Sequence, residues 1–141
     1  MIVVLFGQPG SGKSTLAAKL SAVNVDGDKM RQLYKDHDYT REGRIRNLNR
    51  ASDVALFLHS MGKFVVISMV HPYEEARQYL TRLYPNTIWV YLIYDGSRGK
   101  EDYHVDDFEE PTSCLTLDTS SLSVKDCVTL IQERVYEQTV L

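Results

Sequence analysis

The residues best suited to do chemistry lie close to the N-terminus, in the run Gly7–Thr15, which reads Gly-Gln-Pro-Gly-Ser-Gly-Lys-Ser-Thr. This run satisfies the spacing G-x-x-x-x-G-K-[ST] of a phosphate-binding loop. Glycines let backbone N–H groups turn inward around an anion, and the start of a following helix adds positive potential. A lysine at this position places its charge on the outer phosphate oxygens, and the hydroxyl after it is a ligand for Mg²⁺.

The flanking sequence supports this interpretation, because the strand-like run Met1–Phe6 precedes the loop and the helical pattern Lys13–Ala22 follows it. We therefore expect the loop to bind ATP together with Mg²⁺, and Lys13 to act catalytically from a solvated position. The residues expected to bind ATP are Gly7, Gly10, Ser11, Gly12, Lys13, Ser14 and Thr15, with Ser14 also a ligand of the metal.

Two carboxylates follow the short apolar run Val23–Val25, in the sequence Asp26-Gly-Asp28. One carboxylate can orient Mg²⁺ or its water, and the other can accept the proton of an attacking hydroxyl. A turn that caps a helix explains the same composition equally well. The chain has no guanine-reading Asn-Lys-x-Asp motif, and Phe64–Val70 ends without an aspartate, so GTPases and ATPases with a carboxylate there are disfavoured.

Basic residues follow the carboxylates: Arg31, and then the series Arg41, Arg44, Asn47 and Arg50, which recurs every third residue. On a helix this spacing forms one slowly drifting stripe. Such a stripe is usually a solvated face. Because it carries no acidic residues four positions further on, we favour a clamp for an anionic acceptor.

The composition is that of an ordinary globular domain, with 141 residues, 43% hydrophobic and 25% charged. We expect one domain over residues 1–141. The net charge of -3 argues against a surface that coats nucleic acid. The apolar run Ile88–Tyr94 is too short to span a membrane, and the first residues lack a basic leader, so a cytoplasmic protein is expected. Cys114 and Cys127 are interpreted as small buried apolar residues.

Strand-length apolar runs alternate with segments of helical period, which predicts an α/β fold. By analogy with kinases that carry a phosphate loop, we expect the three-layer P-loop nucleotide-kinase fold, with a five-stranded parallel sheet in the order 2-3-1-4-5. Met1–Phe6 and Phe64–Val70 should form its central pair, followed by strands at Thr87–Tyr94 and Cys114–Leu117.

Several residues mark where helices begin and which faces they bury. Thr40 is a predicted N-cap, and Pro72 is predicted at the first position of a helix. Ser123 and Asp126 resemble a capping box. The apolar stripe of the last helix is predicted to contain Val124, Cys127, Val128, Ile131 and Val135. The polar segment at about residues 95–111 carries both charge signs and has no period, and a loop of this length is more often functional or mobile than inert.

In order and spacing, these motifs resemble those of the adenylylsulfate (APS) kinase family, which phosphorylates the 3′-hydroxyl of APS with ATP. The runs that carry the resemblance, besides the phosphate loop, are Asp26-Gly-Asp28-x-x-Arg31, Tyr39-Thr-Arg-Glu-Gly-Arg44-x-x-Asn47-x-x-Arg50, His71-Pro72-Tyr73-x-x-x-Arg77 and Leu117-Asp118-Thr119. The resemblance implies that Asp28 lies at the reacting hydroxyl and the metal. It implies an acceptor site formed by Asp26, Arg31, Tyr39, Arg44, Asn47, Pro72 and Tyr103, in which the two tyrosines sandwich a base.

The sequence departs from the family in the lid, which is reduced to Gly96–Tyr103 and retains Arg98 and Lys100, and at His71, where the family has serine. A small-molecule nucleotide acceptor, APS first, is therefore expected beside two alternatives. One is a DNA or RNA hydroxyl, either a 5′ end or a hydroxymethylated base. The other is a non-catalytic nucleotide-binding module. A homodimer is compatible with the sequence, and no membrane partner is expected.

Overall fold

The computed structural model describes residues 1–96 and 103–140. Its strands are β1 (Ile2–Phe6), β2 (Val23–Asp26), β3 (Val65–Ser68), β4 (Ile88–Ile93) and β5 (Leu115–Asp118). Its helices are α1 (Lys13–Lys19), α2 (Gly27–Tyr34), α3 (Arg41–Ser60), α4 (Glu74–Leu83) and α5 (Val124–Val140). Within the described ranges, no helix combines the length and apolar character that crossing a membrane requires.

The five strands form one parallel sheet in the order β2-β3-β1-β4-β5, as the sequence predicts. Val4 of β1 lies opposite Ile67 of β3 on one side and opposite Trp89 of β4 on the other. β1 and β3 are buried along their whole length, which is why their sequences are apolar on both faces. The prediction of a doubly buried central pair is confirmed.

Alternate residues of β1 enter two separate cores. Ile2, Val4 and Phe6 pack on the side of α3 and α4, with Ala51 and Leu80 among their neighbours in that core. The other face of β1 belongs to the core that contains Leu16 of α1 and Ile131 of α5. The helices therefore cover both faces of the sheet, and the chain has the expected three layers.

Of two predictions about where helices begin, one is confirmed and one is wrong. Thr40 caps α3 as predicted, because its Oγ1 accepts a hydrogen bond from the N–H of Gly43 at 3.2 Å. The placement of Pro72 at the first position of a helix is wrong, since α4 begins at Glu74 and its N-cap is Tyr73, in extended conformation. Pro72 instead accepts a hydrogen bond from Glu109 N–H at 2.7 Å, which holds this stretch against a distant loop.

The stripe of α5 is only partly buried. Cys127 and Ile131 are in the core, whereas Val124 is 42% exposed, because the first residue of the helix lies at the mouth of a cleft. The predicted cap is present, with Asp126 N–H donating to Ser123 Oγ at 3.0 Å. Neither cysteine forms a disulfide with the other; Cys127 is buried as expected, and Cys114 is half-buried.

Candidate active site

The phosphate loop connects β1 to α1 at the carboxyl edge of the sheet, where parallel sheets bind ligands. Gly7, with φ of 152°, admits no side chain, because a Cβ there would collide with the Leu92 carbonyl oxygen. Gly10 and Gly12 have φ of 87° and 103°, in the left-handed region that favours glycine. The glycines of this motif are therefore required by the turn itself.

The Lys13 ammonium group lies inside the loop. Its Nζ donates to the carbonyl oxygens of Gly7 and Gln8, both at 2.9 Å, and to Ser11 Oγ at 3.3 Å. Burial lowers the pKa of Lys13 from 10.5 to about 8. Lys13, expected to be solvated, is half-buried, and carbonyl oxygens of the loop replace part of the water around its ammonium group.

This lowered pKa predicts that nucleotide binding is linked to proton uptake. A triphosphate beside Nζ stabilises the charged amine, so binding should be strongest below pH 8 and weaken as the pH rises through that value. Titration calorimetry with AMPPNP at about pH 9, in buffers of different ionisation enthalpy, should show uptake of up to about one proton per nucleotide. Lys13→Met removes the titrating group and serves as the control. No uptake by the wild-type protein at that pH would contradict the prediction.

A cleft of about 1110 Å³ extends from the phosphate loop to α3. It brings together most of the residues singled out from the sequence: Gly10, Gly12, Lys13, Ser14, Thr15, Asp26, Asp28, Arg31, Tyr39, Arg44, Asn47, Pro72 and Tyr103. Gly7 and Ser11 lie behind the cleft wall. Ser11 is completely buried, and its carbonyl oxygen accepts a hydrogen bond from Thr119 Oγ1 at 2.8 Å, so these two residues shape the loop.

The two carboxylates of the Asp-Gly-Asp turn have different surroundings. Asp26 ends β2 and caps α2, with its Oδ2 accepting from Lys29 N–H at 3.1 Å. Asp28 lies in the first turn of α2 with an exposed side chain. Asp26 therefore has the helix-capping role that was the alternative explanation of the two carboxylates, while Asp28 is available to a ligand in the cleft.

Arg31 and Tyr39 form one unit where the cleft meets the connection between α2 and α3. The buried Arg31 guanidinium donates to the carbonyl oxygens of Asp36 and Asp38, at 3.1 and 2.8 Å, and so holds the connection between α2 and α3. Its central carbon lies 4.2 Å from the centroid of the Tyr39 ring. Tyr39 is 57% exposed, so its ring offers a free face to a ligand.

The arginine stripe on α3 is divided between two environments. Arg44 and Asn47 line the cleft, and Asn47, although 3% exposed, has an Oδ1 without a hydrogen-bond partner in the described part of the chain. Arg41 instead pairs with Glu75 at 3.2 Å, and Arg50 pairs with Asp36 at 2.8 Å. The absence of local acidic partners is therefore misleading for these two arginines, because carboxylates from other segments neutralise them.

The reduced lid is described from Tyr103 onward; Arg98 and Lys100 lie outside the described residues. Tyr103 lines the cleft and is 71% exposed. The second half of the polar segment 95–111 also contributes to the core, because Val105 is buried and Phe108 packs beside Tyr91.

Several residues that the sequence analysis did not assign to the site also line the cleft. They are His71 and Thr119, which belong to motifs of the resemblance, and Val105 and Leu122, among others. One signal was present for Thr119, which follows β5 directly and so had to lie at the carboxyl edge of the sheet. Val105 had no such signal, since its position depends on side-chain contacts with a distant loop. His71 is fully buried, and burial lowers its pKa to about 3, with the Arg77 charge contributing, so its ring is neutral.

The sequence model of the family described as adenylylsulphate kinase matches residues 1–98. A probable adenylyl-sulfate kinase of Aeropyrum pernix is 36% identical over 93 residues, covering 59% of this chain and 51% of that protein. A cytidine diphosphoramidate kinase of Campylobacter jejuni is 27% identical over 103 residues, covering 67% of this chain and 61% of its own length. The chain spans about half the length of the first curated relatives it matches.

Solved structures share the fold over nearly the whole chain. The Mycobacterium tuberculosis APS kinase in complex with AMPPNP and APS has a TM-score of 0.82 at 21% identity, with 96% of each chain covered. A shikimate kinase from Acinetobacter baumannii, in complex with shikimate, has a TM-score of 0.64 at 15% identity, covering 99% of this chain and 95% of that one. At these identities the likeness shows the fold alone.

Proposed function

Because this chain belongs to the adenylylsulphate kinase family, we propose that it transfers the γ-phosphate of ATP to a hydroxyl of a nucleotide-like acceptor, with APS as the substrate and its 3′-hydroxyl as the reacting group. The single observation that carries the proposal is the continuous cleft, which has Lys13 and Ser14 at one end and Arg44 and Asn47 at the other. A donor and an acceptor bound there would meet beside Asp28.

The charges along this cleft indicate what each residue contributes to the reaction. Lys13 stabilises negative charge that develops on the γ-phosphoryl oxygens and the leaving β-phosphate. Asp28 accepts the proton of the attacking hydroxyl, which makes the oxygen a better nucleophile as the new O–P bond forms. Arg31 and Arg44 stabilise the anionic tail of the acceptor, since guanidinium groups suit phosphate and sulfate oxygens.

The residues at the centre of the cleft also suit Mg²⁺, which the family implies. The Ser14 hydroxyl and the Asp28 carboxylate are hard oxygen ligands, and both line the cleft. Magnesium in kinases keeps several waters and takes few protein ligands besides the substrate phosphates. In keeping with this, the described residues include no group of three or more His, Cys, Asp or Glu side chains that would hold a metal. When bound, the ion neutralises charge on the β- and γ-phosphates.

The exposed ring of Tyr39 gives a prediction for the acceptor base. Tyr39→Ala should raise the KM for APS about 10-fold or more, because a lost base stack costs roughly 1–3 kcal/mol, and should leave the KM for ATP nearly unchanged. Steady-state kinetics with each substrate varied in turn makes this measurement.

Tyr34→Ala is the matched control for Tyr39→Ala. Tyr34 is also exposed, at 43%, and has an arginine guanidinium over its ring, that of Arg50 at 4.4 Å, but it does not line the cleft. Tyr34→Ala should leave the KM for APS and the KM for ATP unchanged. Equal effects of Tyr39→Ala on the two substrates would contradict an APS-like acceptor pocket.

The direct test of the function is phosphate transfer from γ-labelled ATP, with APS, a cytidine nucleotide, a 5′-hydroxyl oligonucleotide and a hydroxymethylated duplex offered in parallel. We expect product from APS. Product from the cytidine nucleotide alone would keep the reaction and change the acceptor, as the name of the Campylobacter relative suggests. Nucleotide binding without transfer to any acceptor would favour a non-catalytic module.

Charge pairing on α3 argues against the polynucleotide alternative. The carboxylates of Glu75 and Glu109 pair with Arg41, and those of Asp36 and Asp38 pair with Arg46. Binding to a polyanion depends on cations that can release counterions from phosphates. Arginines already neutralised by carboxylates contribute little to such binding, so we favour a small acceptor.

A further inference from the structure

Gln8 is the first variable residue of the phosphate loop, and its side chain leaves that loop to pair with a distant segment. Its Oε1 accepts from Val105 N–H at 2.8 Å, and its Nε2 donates to the Val105 carbonyl oxygen at 2.9 Å. The orientation of the carboxamide follows from this pairing, since the reverse would set Nε2 against the Val105 N–H. One side chain therefore satisfies both backbone groups of a buried residue, as a neighbouring strand would.

The next residue of the phosphate loop takes part in a second connection to the same segment. The Tyr94 hydroxyl donates to the Pro9 carbonyl oxygen at 2.7 Å and lies 2.8 Å from Nε2 of His104. Residues 8 and 9 are thus both linked to residues 104–105. Tyr103, which lines the cleft, comes directly before these two.

The far end of the segment is attached to the start of α4, next to Pro72, which lines the cleft. The Tyr73 hydroxyl donates to Asp107 at 3.0 Å, and Glu109 Oε1 accepts from Glu74 N–H at 2.7 Å. Residues 103–109 therefore bridge the phosphate loop and the start of α4. We call residues 103–109 the bridging segment.

Gln8 also contacts the nucleotide side of the site, because its carbonyl oxygen accepts from Lys13 Nζ at 2.9 Å. A phosphate that draws the Lys13 ammonium away from this carbonyl changes the surroundings of Gln8 directly. The same residue then carries the change to Val105 through two hydrogen bonds.

We propose that Gln8 is a positioning residue that couples ATP binding at the phosphate loop to placement of the bridging segment, and with it Tyr103, on the acceptor. This inference rests on the proposed function for its acceptor. It requires that ATP and APS each strengthen binding of the other, because a coupling free energy between two sites is reciprocal. Gln8 needs no contact with either substrate to have this effect.

The test compares the wild-type protein with Gln8→Met, Gln8→Glu and Gln78→Met. Methionine keeps the length of the side chain and removes both hydrogen bonds, while glutamate keeps the acceptor for Val105 N–H and loses the donor. Gln78→Met is the matched control, since Gln78 bonds Glu74 at 2.7 Å on the exposed face of α4. In Gln8→Met the KM for each substrate, measured with the other saturating, should rise about 10-fold, while the Kd of AMPPNP without acceptor stays within about twofold; Gln8→Glu should give intermediate KM values. The control should match the wild type.

Hydrogen exchange of residues 103–108 provides a readout that needs no turnover. AMPPNP should slow exchange there in the wild-type protein and in Gln78→Met, and should not slow it in Gln8→Met, which exposes the Val105 amide. Faster exchange in Gln8→Met with both KM values unchanged would overturn the proposal, because the connection would then be structural only.

The failure of the proposed function would be distinguishable from failure of this inference. If the wild-type protein phosphorylates no acceptor, the function fails, and the AMPPNP effect on exchange still decides the coupling. The coupling role of Gln8 is wrong if AMPPNP leaves exchange of residues 103–108 unchanged in the wild-type protein. It is also wrong if AMPPNP slows this exchange in Gln8→Met and Gln8→Glu as much as in the wild-type protein. Should Gln8→Met fold poorly by circular dichroism, Gln8→Glu carries the same comparison.

Discussion

Lys13→Ala should abolish phosphoryl transfer, with a loss of about 1,000-fold or more in kcat. The ammonium group is the positive charge that the phosphate loop holds at its centre, within 2.9 Å of the carbonyl oxygens of Gly7 and Gln8. Negative charge on the transferring phosphoryl group would lose its nearest fixed counter-charge. Turnover of γ-labelled ATP under saturating substrate measures the effect.

The fold should survive this substitution. Removing the amine leaves two loop carbonyls without this donor, at a cost of about 1 kcal/mol each in the free energy of unfolding, and water can enter the space. Lys19→Ala is the matched control, since Lys19 lies on the exposed side of α1 and does not line the cleft. Circular dichroism should show cooperative unfolding for both variants, with the midpoint of Lys13→Ala a few degrees below that of Lys19→Ala. Near wild-type turnover of Lys13→Ala would contradict the assignment of the phosphate loop.

Asp28→Asn is expected to lower kcat by about 100-fold to 10,000-fold while nucleotide binding largely persists. The substitution keeps the size of the side chain and removes the negative charge that accepts the proton and orients the metal. Asp28 is exposed on the first turn of α2 and faces a cleft shared with Lys13 and Ser14. Single-turnover kinetics with ATP and APS measures the chemical step directly.

Asp26→Asn is the isosteric comparison. The Asp26 carboxylate already caps α2, and asparagine is an equally good N-cap, so the helix should be preserved. We expect a smaller loss of kcat than for Asp28→Asn. A normal single-turnover rate for Asp28→Asn, with a large loss for Asp26→Asn, would assign the base to Asp26.

Much of the architecture was predictable because its signals are local. Strands β1 and β3 are apolar on both faces, and only a strand in the middle of a covered parallel sheet needs that composition. The phosphate loop was recognisable because its glycines adopt backbone conformations that other residues avoid. The cap at Thr40 likewise depends on a contact three residues away.

The acceptor end was predictable only in part. Arg31, Arg44 and Asn47 line the cleft as expected from the sequence, yet Arg41 and Arg50 of the same stripe do not. Spacing places residues on one face of a helix, but it does not reveal which carboxylates from elsewhere will meet that face. Arg50 meets Asp36 from the preceding connection, and Arg41 meets Glu75 of α4 and Glu109 of the bridging segment.

The sequence by itself determined the layers of the fold, the order of the elements and the position of the phosphate loop, because these depend on periodicity and on backbone conformations within a few residues. Only the tertiary structure decided that Lys13 is half-buried against loop carbonyls, that Pro72 lies outside its helix and that Gln8 pairs with Val105. These contacts depend on which side chains packing brings together. Gln8 and Val105 are 97 positions apart in the chain, so no local pattern records their contact.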